Sequence, residues 1–294
     1  MQRERFIDKS VHQVAEFASV ATFLNVTQVP AGVSTIQSDG VPIDLLVHPA
    51  ESKTTIVFFH GAIESHFTLP VLSGLGISGG LEANRVFVSD PSLVLDDELM
   101  LSWYAGNLHQ PDLQQKLTLI LKKVADSLGT QRIVFFGGSG GGFAALYFAS
   151  QFRDSLAVVF NPQTDIAKYK PRAVTDFVTK AFNIDAESTE PLSQLPTEVV
   201  SNLCDLYSGP QNVQVAYMQN LNDDSHVQSH LGPFLEAVHP ETEVLVLKER
   251  WNDGHTPPPK DVLARVLNLS VTSHDVASDF SDFGFQNATG ALNA

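Results

Sequence analysis

Cysteine is nearly absent: Cys204 is the one thiol in 294 residues. It cannot close an internal disulfide, and no Cys or His stands beside it at zinc-finger spacing, so it is assigned as a half-buried helical thiol. Cations are scarce as well. Eighteen Lys and Arg against 33 Asp and Glu leave a net charge of −15 with histidine neutral. Such a surface repels phosphate backbones and anionic lipid, and with no basic patch in the sequence this argues against nucleic-acid and membrane-surface partners. No run approaches the about 20 apolar residues of a membrane span. The amino terminus, Met1-Gln2-Arg3-Glu4-Arg5, mixes acids and bases and is followed by alternating apolar and polar residues, unlike a secretion signal. A cytoplasmic protein is expected. No internal repeat is found.

What is present is a core. A hydrophobic fraction of 43% with 17% charged residues suits a folded globular chain and not a disordered one. The length allows two domains of about 150 residues, so the order of elements must decide.

Ile7, Val11, Val14, Phe17 and Val20 recur at three- and four-residue spacing, which predicts a helix within residues 1–30, ending near Asn25. Val33–Ile36 and Ile43–Val47 then alternate around Ser38-Asp39-Gly40 and predict an antiparallel pair of strands. Six nearly continuous apolar runs follow, at Thr54–Phe59, Arg85–Val88, Ile133–Phe136, Leu156–Phe160, Val213–Met218 and Val244–Leu247. Strands of this type occur where helices cover both faces of a sheet. Helical patterns at Leu113–Leu128, Phe143–Phe152, Val227–Val238 and Pro259–Leu267 lie between or after them. The alternation predicts an α/β protein with a mainly parallel central sheet flanked by helices.

Two segments break the rhythm. Residues 164–211, with Pro171, Pro191 and Pro196 and short helical stretches, are expected to form an inserted helical cap, because structureless loops longer than about 15 residues are uncommon in compact domains. Residues 270–294 carry no Lys or Arg and many Ser, Asp, Gly and Asn, so a surface extension or disordered end is expected. Phe280, Phe283 and Phe285 are the exception, suited to docking on the body or on a second subunit of a homo-oligomer. Residues 1–269 are then a single domain.

The most informative segment is Gly137-Gly138-Ser139-Gly140-Gly141, between a buried strand and an apolar helix. Chance gives a bare Gly-x-Ser-x-Gly pattern about once in ten chains of this length, so the flanking strand and helix carry the weight. A serine held in a sharp strand-to-helix turn needs small neighbours two positions away on each side, and Gly137 and Gly141 supply them. Such a turn exposes the Ser139 hydroxyl and aims the first free amides of the helix at it, which favours a developing anion.

Here the chain resembles the α/β-hydrolase fold family, over roughly residues 32–268. That resemblance implies a triad in the chain order Ser, acid, His. His255 lies in the turn-rich loop Asn252-Asp253-Gly254-His255-Thr256-Pro257 after the last core strand. The preceding strand runs into Gln219-Asn220-Leu221-Asn222-Asp223-Asp224, which offers two acids. Asp223 sits where the family places its acid, three residues after a turn residue, here Asn220. Asp224 and Asp165 remain alternatives, and a plain helix N-cap is the alternative role for Asp223. Phe58-Phe59-His60-Gly61-Ala62 resembles the family's His-Gly turn, which implies backbone N–H donors from Ala62 and Gly140 for an oxyanion hole, with His60 structural.

Other chemistries are weighed against this one. His226 and His230 share a helix face at i and i+4, but no Glu or third ligand completes a zincin-like motif, so a hydrogen-bonded or solvated pair is expected and no metal. Gly140-x-Gly142-x-x-Ala145 imitates a dinucleotide loop, yet Phe160-Asn161-Pro162 stands where its acid belongs, and no Gly-Lys-Ser or Gly-Lys-Thr follows. No cofactor is required. Trp103 and Tyr104 are expected to contact substrate; Phe177, Phe182 and Leu206 of the cap either line the same pocket or pack. The resulting expectation is a serine hydrolase cleaving a small or medium acyl ester. The pattern of Gln219, His226, His230 and Pro233-Phe234 also resembles a poorly described hydrolase subgroup associated with carbohydrate gene clusters, which implies a glycan acyltransferase or deacetylase. A peptidase and a non-catalytic binding protein on the same fold are the further alternatives.

Overall fold

Runs of β-branched and aromatic residues build one ten-stranded sheet in the computed structural model, which describes residues 1–185, 187–188 and 190–288. The chain begins with β1 (Val14–Phe17), α1 (Val20–Leu24), β2 (Gly32–Ser38) and β3 (Val41–His48). It continues with β4 (Thr54–Phe59), α2 (Leu75–Ser78), β5 (Asn84–Val88), α3 (Leu113–Ser127), β6 (Arg132–Gly138), α4 (Gly140–Ser150) and β7 (Ser155–Phe160). Then come α5 (Pro171–Asp176), α6 (Leu203–Tyr207), β8 (Val213–Asn220), α7 (Asp224–His226), α8 (Gly232–Ala237), β9 (Glu243–Glu249), α9 (Lys260–Thr272), α10 (Val276–Phe283) and β10 (Gln286–Asn287).

The strand order is β1-β2-β3-β5-β4-β6-β7-β8-β9-β10. From β5 through β9 all pairs are parallel; β3 is antiparallel to both β2 and β5, and β10 is antiparallel to β9. Alternate residues of each strand feed two apolar layers. Val57, Phe59 and Phe135 face the layer with α3, α4 and the 164–211 segment, while Ile56, Phe58, Val134 and Phe136 face the layer with α9 and α10. α4 is buried from Gly140 to Ala149. The turn that starts it is therefore held at the middle of the sheet's carboxyl edge.

The six predicted core strands and the antiparallel pair are all present. The expected amino-terminal helix is not. Val14–Phe17 is an edge strand parallel to β2, with Val14 opposite Val33, and only Val20–Leu24 is helical, capped by Ser19. A helix would have gathered Val14 and Phe17 on one face; the strand sends Val14 to one layer and Phe17 to the other, satisfying both with ladder bonds to β2.

The 164–211 segment lies against α3 and α4. Gln114 of α3 bonds the Val200 backbone in both directions, and the Tyr207 hydroxyl donates to the Leu146 carbonyl. α5 runs on into a π-helical turn over Phe177–Ala181. Of the expectations for the tail, docking of its phenylalanines on the body is the one seen, and a surface extension or disordered end is corrected over residues 270–288. Helix α9 continues to Thr272, Asp275 caps α10, and β10 closes the sheet edge; Phe280 and Phe285 are buried against Leu263, Val266 and Leu267. The 3.6-residue spacing of Val276, Phe280 and Phe283 explains the helix. The last residues of that tail, 289–294, lie outside those described. Among the described residues no helix is long and apolar enough to cross a membrane.

Candidate active site

Ser139 stands alone between β6 and α4, with φ 56° and ψ −123°, a conformation that side-chain-bearing residues seldom adopt. Two glycines make it possible. A methyl group on Gly137 would collide with the Gly141 carbonyl, and one on Gly141 with the carbonyl of Phe59 in β4.

The turn points Ser139 Oγ at the loop after β9, where His255 Nε2 is 2.9 Å away. His255 Nδ1 is in turn 2.6 Å from Asp223 Oδ2. Asp223 also caps α7, its Oδ1 accepting from the His226 amide at 3.3 Å. The cap and the His255 contact thus fall on different oxygens of one carboxylate. Asp224, the next residue, is exposed, and Asp165 caps a separate short helix by accepting from Ala167 N–H. Burial works to raise the Asp223 pKa, but the His255 hydrogen bond and the two flanking imidazoles outweigh it and hold the carboxyl below its usual range.

The third strand end is that of β4. Behind it His60 is buried, its Nδ1 on the Gly61 carbonyl at 2.7 Å and its Nε2 accepting from the Asp90 amide at 3.1 Å. The ring is therefore a neutral Nδ1–H tautomer that fixes the turn. That turn lies against the elbow: a Cβ on Gly61 would stand 3.4 Å from Ser139 Cβ and 3.9 Å from Gly140 N. Gly140 opens α4, so its N–H has no intrahelical acceptor. Ala62 lines the same cavity as Ser139 and His255.

No protein-family model matches the chain, and no curated protein matches it in sequence. Solved structures do match it in shape. The capsule O-acetyltransferase of Neisseria meningitidis serogroup A aligns over 78% of this chain and 92% of its own, at 13% identity and TM-score 0.52. An acetyl xylan esterase from Paenibacillus sp. R4 aligns over 84% and 90%, at 16% identity and TM-score 0.53. An acylaminoacyl peptidase of Pyrococcus horikoshii aligns over 88% of this chain but 45% of its own, at 13% identity and TM-score 0.55. The chain has the α/β-hydrolase fold.

Within this fold Ser139 follows β6, Asp223 follows β8 and His255 follows β9. The histidine loop is pinned by two asparagines. Asn220 Nδ2 donates to the carbonyls of Asn252 (2.7 Å) and Gly254 (2.9 Å), its Oδ1 accepts from Trp251 N–H, and Asn161 Nδ2 donates to the Thr256 carbonyl.

Trp103 and Tyr104 do not line the cavity; both are buried in the core. Tyr104 accepts from His60 N–H and donates to the Val88 carbonyl, which steadies the His60-Gly61 turn. Trp103 donates its indole N–H to Gln163 Oε1 at 3.0 Å. The indole and phenol are too large, and their polar tips too well matched to buried partners, to be left at the surface. Phe177 and Phe182 pack in the same aromatic cluster, and Leu206 is half-buried against the core.

Gln163, which the sequence did not single out, touches the site, and His226, expected as a hydrogen-bonded or solvated histidine, lies beside it. Gln163 Nε2 is 2.7 Å from Ser139 Oγ and 3.1 Å from His226 Nε2. His226 Nδ1 lies 2.9 Å from Asp223 Oδ2, at an angle too poor for a hydrogen bond. His230 Nδ1 accepts from the Thr164 amide, so the His226–His230 face is committed to hydrogen bonds. Asp223, His226 and His255 bring three ligand-type atoms within 4.8 Å of one another. With Oδ2 already 2.6 Å from His255 Nδ1, a metal there would have to displace that hydrogen bond.

A cavity of about 470 Å³ opens from Ser139 and His255 toward α2 and α9. Phe58, Ile77, Phe136, Phe160 and Leu263 form its apolar wall. No carboxylate lines it among the described residues, and Lys260 is its one cation.

Proposed function

We propose that this protein is a serine esterase of small or medium acyl groups. The observation that carries the reading is the continuous relay from Ser139 Oγ through His255 to Asp223 at the mouth of an apolar cavity. His255 Nε2 takes the Ser139 proton as Oγ attacks the acyl carbonyl, and Asp223 holds the Nδ1–H tautomer and stabilises the imidazolium. The amides of Gly140 and Ala62 receive the oxyanion, where one such donor is worth about 2.7–4 kcal/mol. His255 then protonates the departing alcohol, and water repeats the sequence to release the acid. Among the described residues no carboxylate lines the cavity, which suits a neutral ester entering a protein of net charge −15.

A second reading, transfer or removal of an acyl group on a glycan hydroxyl, has its own support. The O-acetyltransferase and acetyl xylan esterase structures are matched over at least 90% of their length, whereas the acylaminoacyl peptidase is matched over less than half. The test is fluorophosphonate labelling together with turnover of p-nitrophenyl esters from acetate to octanoate, in the wild type, Ser139→Ala and His255→Ala. Labelling and turnover that vanish in both variants support the reading. A wild type that is neither labelled nor active on any of these esters overturns it.

A further inference from the structure

Gln163 has no exposed surface, yet it spends both of its amide hydrogens on the site. The indole of Trp103 can only donate, so it binds Oε1 and thereby turns Nε2 toward Ser139 and His226. His226 Nε2 accepts from this amide, so the ring carries its proton on Nδ1, facing Asp223. The backbone adds a further link, because Gln163 N–H donates to the Ser139 carbonyl at 3.1 Å. A surplus amide tucked against a nucleophile by chance would not have its orientation set by one buried aromatic and its second hydrogen used by another.

We propose that Gln163 is a further catalytic residue, whose amide N–H donates to Ser139 Oγ and stabilises the alkoxide character this oxygen acquires during turnover, with Trp103 and His226 as the positioning residues that aim it. The inference rests on the serine-esterase reading above. In acylation the Oγ–C bond forms while the Oγ proton moves to His255 Nε2, and the same proton leaves with the alcohol as its C–O bond breaks. In deacylation water gives a proton to His255 and bonds the acyl carbon; the C–Oγ bond breaks, and Oγ recovers that proton from His255. Oγ is the leaving group in this second half, where a donor already in place counts most. Gln163 gives up no proton at any step.

The test uses the full-length protein and p-nitrophenyl acetate, with Gln163→Met and Gln163→Glu. Glutamate keeps the shape and the acceptor for Trp103 but, when ionised, cannot donate to Ser139. Both variants are expected to lose kcat by about 10- to 100-fold, with KM falling alongside it as deacylation becomes limiting and kcat/KM changed less. The burst of p-nitrophenol should grow toward one per site as deacylation slows, a readout that loss of packing alone would not produce. Unchanged kcat and burst in a folded Gln163 variant overturn the inference. If neither variant folds, Trp103→Phe decides: a kcat within twofold of wild type overturns it, and a larger loss of kcat accompanied by a larger burst supports it. Fluorophosphonate labelling of wild-type Ser139 separates the two levels. An unlabelled, inactive wild type removes the esterase reading and this inference with it, whereas a labelled, active wild type matched by its variants removes only the role of Gln163.

Discussion

His226 lies flat against His255, with ring centroids 4.0 Å apart and planes within 15° of parallel. Both rings turn Nδ1 toward the same oxygen of Asp223, but the His255 contact is a 2.6 Å hydrogen bond and the His226 contact is misaligned. Burial, and then the neighbouring His255, drive the His226 pKa down to about 4. A neutral ring in this position can brace His255 without competing with it as a proton carrier.

The stacked and buried histidines should make the protein acid-sensitive. His230 is also pushed down, to about 3, by burial and then by His226. In the unfolded chain both rings titrate near 6.5, so below that pH the unfolded state takes up protons that the folded state refuses. Their stabilising contribution is complete above pH 6.5 and declines toward pH 4, by up to about 1.4 kcal/mol per pH unit for each ring. Asp223, whose pKa is lowered, adds the same sign only as pH falls through its own lower range. Urea midpoints measured at pH 7.5, 6 and 5 should fall in that order, and His230→Asn should flatten the trend. A midpoint independent of pH would show that the rings are not held neutral.

The two adjacent acids should differ sharply. Asp223→Asn leaves His255 without its acceptor and is expected to cost kcat about 10⁴-fold, whereas Asp224→Asn should stay within about twofold of wild type. Equal losses from the two substitutions would contradict the geometry.

Asn220 holds the histidine loop rather than the substrate. Its buried side chain bonds residues 251, 252 and 254, so Asn220→Ala should cost about 1–3 kcal/mol of stability. The same change should lower kcat more than it raises KM, because His255 is displaced from Ser139. A folded variant with wild-type kcat would sink this assignment.

The cavity wall should set acyl length. Ile77→Trp narrows the cavity at its α2 wall and is expected to shift the preferred p-nitrophenyl ester toward acetate, with little effect on fluorophosphonate labelling. An unchanged chain-length profile would place the acyl group elsewhere.

Phe280 makes the tail part of the core. Phe280→Ala removes a fully buried ring that packs edge-on against Phe285 at 5.1 Å, and is expected to cost about 3–5 kcal/mol. Thermal or urea denaturation checks it; a change below about 1 kcal/mol would mean the tail contributes little.

The elbow was legible because its two glycines flank Ser139 at fixed spacing, and a side chain on Gly137 would meet the Gly141 carbonyl four residues on; the Phe59 carbonyl that excludes one on Gly141 is brought there only by the fold. Chain order narrowed the acid to two neighbours but could not choose between them. One residue at the start of α7 turns a side chain by about 100°, enough to send Asp223 inward and Asp224 to solvent. The amino-terminal segment misled for a related reason: its apolar spacing suits one helix face, yet the open edge of β2 offered backbone hydrogen bonds that a short helix could not match.

Residue chemistry alone settled the strand-helix alternation, the two antiparallel strands and the place of Ser139, since each follows from neighbours a few positions apart. Folding settled the rest. Gln163 reaches His226 across 63 positions and Ser139 across 24, and the indole of Trp103 reaches Gln163 across 60. Those meetings depend on which strand ends the sheet sets side by side, and on burial that forces every polar tip to find a partner. No periodicity along the chain encodes them.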